Sequence, residues 1–299
     1  MNLPLERKRI GLSVGEMAYV DMGDGPPVLL LHGFPTSADL WRREAWLIAQ
    51  RMRVIVPDLM GYGQSDKAAE ADLSEPAQAA YARELLERLG IDELAVVGHD
   101  IGGAVAQMLA LDGELRVRAM VLLDSACFDA WPVEGVRMTQ AVLPEQETGP
   151  FVEDILRAAF VLGIAHQNRI EPGVIDAYIE PWKDDPAAFF RAVRSLTGKG
   201  LVGRDTELAG LEIPALIIWG EDDPFLPAEL AERLGEAIPL STIALLPGCS
   251  HFIPEDAPET VGPLVYEFLR LRYLGESHGH GPHSGPVRVF LERPDEGFA

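Results

Sequence analysis

Asp100 stands at the centre of the run Leu94-Ala95-Val96-Val97-Gly98-His99-Asp100-Ile101-Gly102-Gly103, a strand-like apolar stretch that bends through small residues into the helical pattern Ile101 to Leu111. A small-x-acid-x-small bend of this kind has the form of a nucleophile elbow, with a carboxylate where a serine would more often stand. A carboxylate is ionised at neutral pH without a base, its ordinary pKa being about 3.9, and it can attack a saturated carbon to give an alkyl-enzyme ester. A base is then needed only for the water that releases the ester. Glycines beside the bend suit a central residue in a strained backbone conformation, and the helix behind it aims free N–H groups at the charge. Taken alone, the same residues also read as a plain glycine-rich turn with Asp100 as a helix N-cap.

Other residues along the chain supply what such a carboxylate would need. The apolar run Val28 to Leu31 ends in His32-Gly33-Phe34-Pro35, a loop fit to give one backbone N–H of an oxyanion hole from Phe34, with the second from Ile101. His32 and His99 are read as supporting residues. Downstream, the run Ala215 to Trp219 leads into Gly220-Glu221-Asp222-Asp223-Pro224, and Thr242 to Leu246 leads into Pro247-Gly248-Cys249-Ser250-His251. The chain order is therefore nucleophile, acid, histidine. His251 would activate water, and Asp223 would fix its tautomer and stabilise the imidazolium. Asp222 is adjacent, and Asp124, which ends the strand after the elbow, is an alternative acid.

Elements of two kinds must position these residues. Short β-branched or leucine-rich runs alternate with amphipathic stretches, the pattern of a mostly parallel sheet with crossover helices. An opening hairpin, Arg9 to Ser13 and Met17 to Asp21, precedes runs at Val28–Leu31, Val54–Val56, Leu94–Val97, Met120–Leu123, Ala215–Trp219 and Thr242–Leu246, eight strands in all. Glu75 to Leu89 has helical periodicity, with Pro76 in its first turn and Gly90 past its end. From Trp131 to Arg204 the strand signal vanishes among Pro144, Pro150, Pro172, Pro181 and Pro186. The expected organisation is a core over residues 1–130 and 205–274, an inserted helical lid over 131–204, and a Gly/His/Pro-rich tail over 275–299. The tail contains a short strand-like piece, Val287 to Leu291, and its His278, His280 and His283 read as a solvated linker in preference to a metal site.

Composition narrows the partners. The 299 residues carry 25 basic and 47 acidic side chains, and a net charge of −22 repels phosphate backbones and anionic lipid surfaces. The two cysteines, Cys127 and Cys249, are too few for a disulfide framework and read as buried thiols of a reducing compartment. The start lacks the apolar stretch of a signal peptide, and no apolar run approaches the roughly 18 residues of a membrane span. A cytoplasmic chain acting on a small molecule is the expectation, with no nucleotide loop, metal cage or organic cofactor motif; the sequence leaves the oligomeric state open.

With these landmarks in order, the chain resembles the α/β-hydrolase superfamily from about Met17 to Tyr273. His32-Gly33-Phe34-Pro35 together with Gly98-His99-Asp100-Ile101-Gly102 is similar to the epoxide hydrolase and haloalkane dehalogenase branch, whose members use an aspartate nucleophile. His32 to Arg42 is particularly similar to haloalkane dehalogenases. That resemblance implies halide donors, commonly a Trp after the nucleophile and an Asn in the first loop or a lid Trp, yet Ile101 and Phe34 occupy these places. Loss of an aimed donor costs about 2.7–4 kcal/mol in oxyanion-type sites. Haloacetate dehalogenases carry an Arg after the nucleophile, which Ile101 also denies. Epoxide hydrolases protonate the departing alkoxide from lid hydroxyls, so the resemblance nominates Tyr178, with His166 as a second donor; Trp131 and Trp182 are the nominees for a halide. The first reading is epoxide hydrolysis to a diol on a small to medium, neutral, apolar substrate. Dehalogenation is the alternative, followed by hydrolysis of another bond such as an activated ester, and a non-catalytic binding protein on the same fold is the reading from another class.

Overall fold

Parallel strands buried on both faces need near-continuous apolar runs, and the runs described above become the sheet. The structure is a computed structural model that describes residues 5–276 and, as backbone, 287–290. Its strands are β1 (Lys8–Leu12), β2 (Gly15–Met22), β3 (Pro27–Leu31), β4 (Arg53–Pro57), β5 (Glu93–His99), β6 (Arg116–Leu123), β7 (Ala215–Gly220), β8 (Ser241–Leu246) and β9 (Val287–Phe290). They form one sheet in the order β1-β2-β4-β3-β5-β6-β7-β8-β9, antiparallel at β1–β2 and β2–β4 and parallel elsewhere. The eight expected strands are contiguous. The ninth, from the segment read as a tail, extends the sheet beside β8. His278, His280 and His283 lie outside the described residues.

Eleven α-helices are present among the described residues. The first three are α1 (Glu44–Ile48), α2 (Glu75–Arg88) and α3 (Ile101–Asp112). Between β6 and β7 come α4 (Glu134–Gln140), α5 (Gly149–Gly163), α6 (Val174–Lys183), α7 (Pro186–Ser195) and α8 (Asp205–Leu208). The last three are α9 (Glu229–Ala237), α10 (Ile253–Asp256) and α11 (Pro258–Arg272). Alternation along the strands splits the core into two layers. Leu29, Leu31, Leu94 and Val96 face one side with α2, α3 and the helices between β6 and β7, whereas Val28, Leu30, Ala95 and Val97 face the other with α1 and α11. No helix is long and apolar enough to cross a membrane, among the described residues. Cys127 and Cys249 are free and buried.

The register sets the site. Leu31 lies beside Gly98, His99 beside Leu123, Leu123 beside Ile218, and Gly220 beside Leu246. The carboxyl ends of β3, β5, β6, β7 and β8 are thereby level, and the loops that follow them converge at one edge, where ligands bind in open α/β sheets.

Candidate active site

Asp100 sits between the last residue of β5 and the first of α3 with φ 51° and ψ −120°, a conformation costly to a residue with a Cβ. Close approach of the surrounding backbone accounts for the glycines. A Cβ on Gly102 would collide with the Leu31 carbonyl oxygen, and one on Gly33 would lie 2.5 Å from the Cβ of Asp100. The packing brings the Phe34 N–H to 2.8 Å from Asp100 Oδ2, and the Ile101 N–H also donates to this carboxyl. The Phe34 N–H thus holds Oδ2, and Asp100 lies on the wall of a cavity. Burial raises the Asp100 carboxyl to about 6, against the lowering effect of His251 and of these two N–H groups.

His251, in the loop after β8, donates from Nδ1 to Asp223 Oδ2 at 2.8 Å, which makes Nε2 its basic nitrogen. Burial pushes this imidazole down, but the neighbouring Asp223 and Asp100 carboxyls outweigh it and hold the ring above its ordinary value. Asp223 Oδ1 accepts N–H groups from Phe225 at 2.8 Å and Leu226 at 3.0 Å, so its loop is wound around the carboxylate. Asp222 is exposed. Asp124 is fully buried beside Asp223 and accepts the Gly220 N–H at 2.9 Å. Both supporting histidines are buried, and burial lowers the pKa of each: His32 Nε2 accepts the Leu59 N–H, and His99 Nε2 meets the His251 carbonyl.

Asp100 and His251 line a cavity of about 340 Å³ whose other walls include Phe34, Trp131, Val136, Leu156, Val193 and Phe252. Its mouth is apolar too: Met138 and Leu162 line it and are 68% and 61% exposed. The remaining polar side chain, Thr139, gives its hydroxyl to the Gly135 carbonyl. A chamber of this volume and lining suits a neutral apolar molecule of modest size, with a carboxylate and an imidazole on its wall.

The four nominated lid donors are placed differently. Tyr178 donates to Glu255 Oε1 at 2.7 Å, in a buried cluster where Arg42 grips the same carboxylate through both terminal nitrogens. Trp182 donates to the Pro35 carbonyl at 2.9 Å. Trp131 presents its ring to the cavity, but its N–H goes to Glu75 Oε1 at 2.6 Å. His166 is anchored through its backbone N–H to Asp256 at 2.8 Å, with its ring Nδ1 3.5 Å from the same oxygen. Tyr178, Trp182 and His166 do not line the cavity. Of the four candidates, Trp131 alone lines the cavity, while Tyr178, Trp182 and Trp131 donate to Glu255, the Pro35 carbonyl and Glu75.

Sequence reasoning did not foresee Glu75, Glu255 and Asp256. Glu75 receives Trp131 Nε1, the Thr197 N–H and hydroxyl and the Gly198 N–H, so both ends of the segment between β6 and β7 converge on one carboxylate. Its sole local signal was an acid in the first turn of a helix.

Residues 26–258 match the family model described as the alpha/beta hydrolase fold. The chain belongs to the α/β-hydrolase superfamily. Within it, the chain is related to haloalkane dehalogenases. It is 31% identical over 280 residues to haloalkane dehalogenase 2 of Mycobacterium tuberculosis (strain H37Rv), spanning 88% of this chain and 95% of that one. An α/β-hydrolase fold protein from Burkholderia ambifaria superposes with a TM-score of 0.82 at 28% identity, over 89% of this chain and 99% of the other. The epoxide hydrolase CorEH shares the fold at a TM-score of 0.76 and 23% identity, over 89% and 98% of the two chains.

Proposed function

We propose that this hydrolase cleaves a carbon–halogen bond of a small, neutral, apolar substrate through an alkyl ester on Asp100. The observation that carries this reading is the hold of the Phe34 N–H on Asp100 Oδ2, which leaves Oδ1 for attack on a substrate in an apolar chamber. Oδ1 bonds to the saturated carbon as the halide departs with its electron pair. Water then adds to the Asp100 carboxyl carbon while His251 Nε2 takes its proton and Asp223 stabilises the imidazolium. The negative oxygen formed at Oδ2 already lies against the Phe34 N–H, and the Ile101 N–H donates to the same carboxyl group, so the second step has donors in place. Collapse expels the alkoxide, which takes the proton from His251 and leaves as the alcohol; loss of the carboxyl proton to solvent restores the carboxylate, so that a turnover yields alcohol, halide ion and a proton.

The choice of leaving group rests on the far wall. Displacement at carbon expels the leaving group opposite the attacking oxygen, away from His251. An alkoxide expelled there needs a proton; Tyr178, Trp182 and Trp131 give theirs to Glu255, the Pro35 carbonyl and Glu75, and His166 does not line the cavity. Halides are much weaker bases and leave with less assistance, bromide and iodide ahead of chloride. The relationship to a haloalkane dehalogenase at 31% identity agrees with this choice.

His251→Gln separates the two steps, since attack by Asp100 needs no base and ester hydrolysis does. With 1-bromoalkanes the variant is expected to release about one bromide per protein and to add the alkyl mass to the peptide containing Asp100. Halide release without the adduct would remove the ester from the mechanism. The wild-type protein given an epoxide panel beside the bromides decides the bond: diol formed with no halide released would return the assignment to ring opening.

A further inference from the structure

Asp124 follows the last residue of β6 with φ +38°, fully buried, its N–H bonded to the Ile218 carbonyl at 3.1 Å. One carboxyl oxygen, Oδ1, accepts the Gly220 N–H. The other, Oδ2, is buried and receives no donor among the described residues, although Asp223 lies within hydrogen-bonding reach. Two neighbouring carboxyl groups disfavour each other's charge in a buried site, so one of them bears a proton. Their partners decide which. Asp223 is saturated by Phe225, Leu226 and His251, whereas Asp124 has Gly220 alone. The charged groups acting on Asp124, Asp223 and Asp256, are both acidic, and the Cys249 thiol nearby brings no positive charge.

We propose that Asp124 is a positioning residue, a neutral carboxylic acid that donates its own proton to Asp223 and so holds that carboxylate against Nδ1 of His251. Burial, then the charge of Asp223, raises the Asp124 carboxyl well above the ordinary carboxylate range, in the same direction as the geometry. The consequence for chemistry rests on the reading of His251 as the base. A hydrogen bond from Asp124 draws negative charge from Asp223, so the imidazolium is less stabilised than it would be against a bare carboxylate. His251 therefore gives up its proton at a lower pH, which favours the neutral form that activates water.

Two substitutions suit the left-handed backbone at this position. Asp124→Asn keeps an acceptor for Gly220 and offers an N–H to Asp223, and Asn tolerates positive φ; Asp124→Gly removes the carboxyl without strain. The measurement is an NMR titration of the His251 ring in the substrate-free protein, which makes it independent of the bond cleaved. Asp124→Gly is expected to raise the His251 pKa by on the order of one pH unit, and Asp124→Asn to restore most of the difference. An infrared difference spectrum of wild type against Asp124→Asn should show the carbonyl stretch of a protonated carboxyl at neutral pH. An unshifted titration in Asp124→Gly, equal shifts in both variants, or no protonated-carboxyl band would each overturn the proposal. Failure of the His251→Gln trap would instead count against the ester chemistry and leave this result standing.

Discussion

The carboxyl edge of the sheet and the helices between β6 and β7 both carry side chains able to do chemistry, and the fold treats them in opposite ways. At the sheet edge, level strand ends bring Asp100 and His251 onto one cavity, with Asp223 behind the ring. In the segment between β6 and β7, Tyr178 and Trp182 of α6 and Trp131 and His166 of the connecting loops are turned toward Glu255, Pro35, Glu75 and Asp256 of the core. On the proposed mechanism, the same kinds of polar atoms serve reaction in one region and attachment in the other. A strand end is free to present a group to a ligand because the sheet's own hydrogen bonds already hold its backbone. A helix laid over an apolar chamber needs polar anchors, because a buried carboxylate of the core without donors would cost several kcal/mol.

The sharpest test of that contrast is Asp100→Asn. It removes the carboxylate proposed to attack but keeps the shape of the bend, and turnover is expected to fall by about 10⁴-fold or more. Stability should move the other way. The folded state raises this carboxyl from 3.8 to about 6, so the ionised form is disfavoured on folding and wild type loses stability as pH rises through that range. Above about pH 6 the Asn variant is therefore expected to be more stable than wild type, by about 2 to 3 kcal/mol, with the gain vanishing below about pH 4. Denaturant melts at pH 8 and pH 4 measure the difference. A variant less stable than wild type at both would show that the site is not strained by its own charge.

A smaller effect is expected from pH itself. Attack needs Asp100 ionised, with its midpoint at about 6, and ester hydrolysis needs His251 neutral, with a midpoint above the ordinary histidine value. Both conditions fail on acidification, so turnover should drop at least about tenfold from pH 8 to pH 5. His251 lowers the Asp100 value, so in His251→Gln the acid limb of the alkylation step should move upward from 6. An alkylation rate flat from pH 5 to 8 would detach the attacking group from Asp100.

How much of this was legible in the sequence follows from the same contrast. The strands, the bend at Asp100 and the position of His251 could be read because each signal is local, and chain order fixes which strand end carries it. The choice among Asp222, Asp223 and Asp124 was not fixed by order. It depends on a loop that wraps the Phe225 and Leu226 N–H groups around Asp223 and leaves Asp222 exposed. The helix donors could be named but not aimed. The partner of Tyr178 lies 77 residues away and that of Trp131 56 residues away. No periodicity encodes such pairs, since they arise only when the segment folds back over the sheet.

The mildest substitution bears most directly on that unread part. Tyr178→Phe deletes one hydroxyl from the Glu255 cluster while Arg42 and Arg43 remain on the carboxylate at 2.5–3.1 Å. The phenol belongs to attachment by this account, and burial together with Glu255 holds its pKa well above the ordinary value, so it is a neutral donor. Its loss should cost about 1 to 2 kcal/mol of stability, near the lower end for hydrogen bonds to charged groups because two guanidinium groups stay in place. For a chain of this size that is a fall of several degrees in Tm. Turnover of a bromoalkane should remain within about threefold of wild type, because the hydroxyl points at Glu255 and not at the cavity. The opposite pattern, turnover reduced a hundredfold with Tm unchanged, would mean that Tyr178 leaves Glu255 when substrate binds and faces the departing group. The helices would then be part of the chemistry, and ring opening of an epoxide, which needs such a donor, would regain the stronger claim.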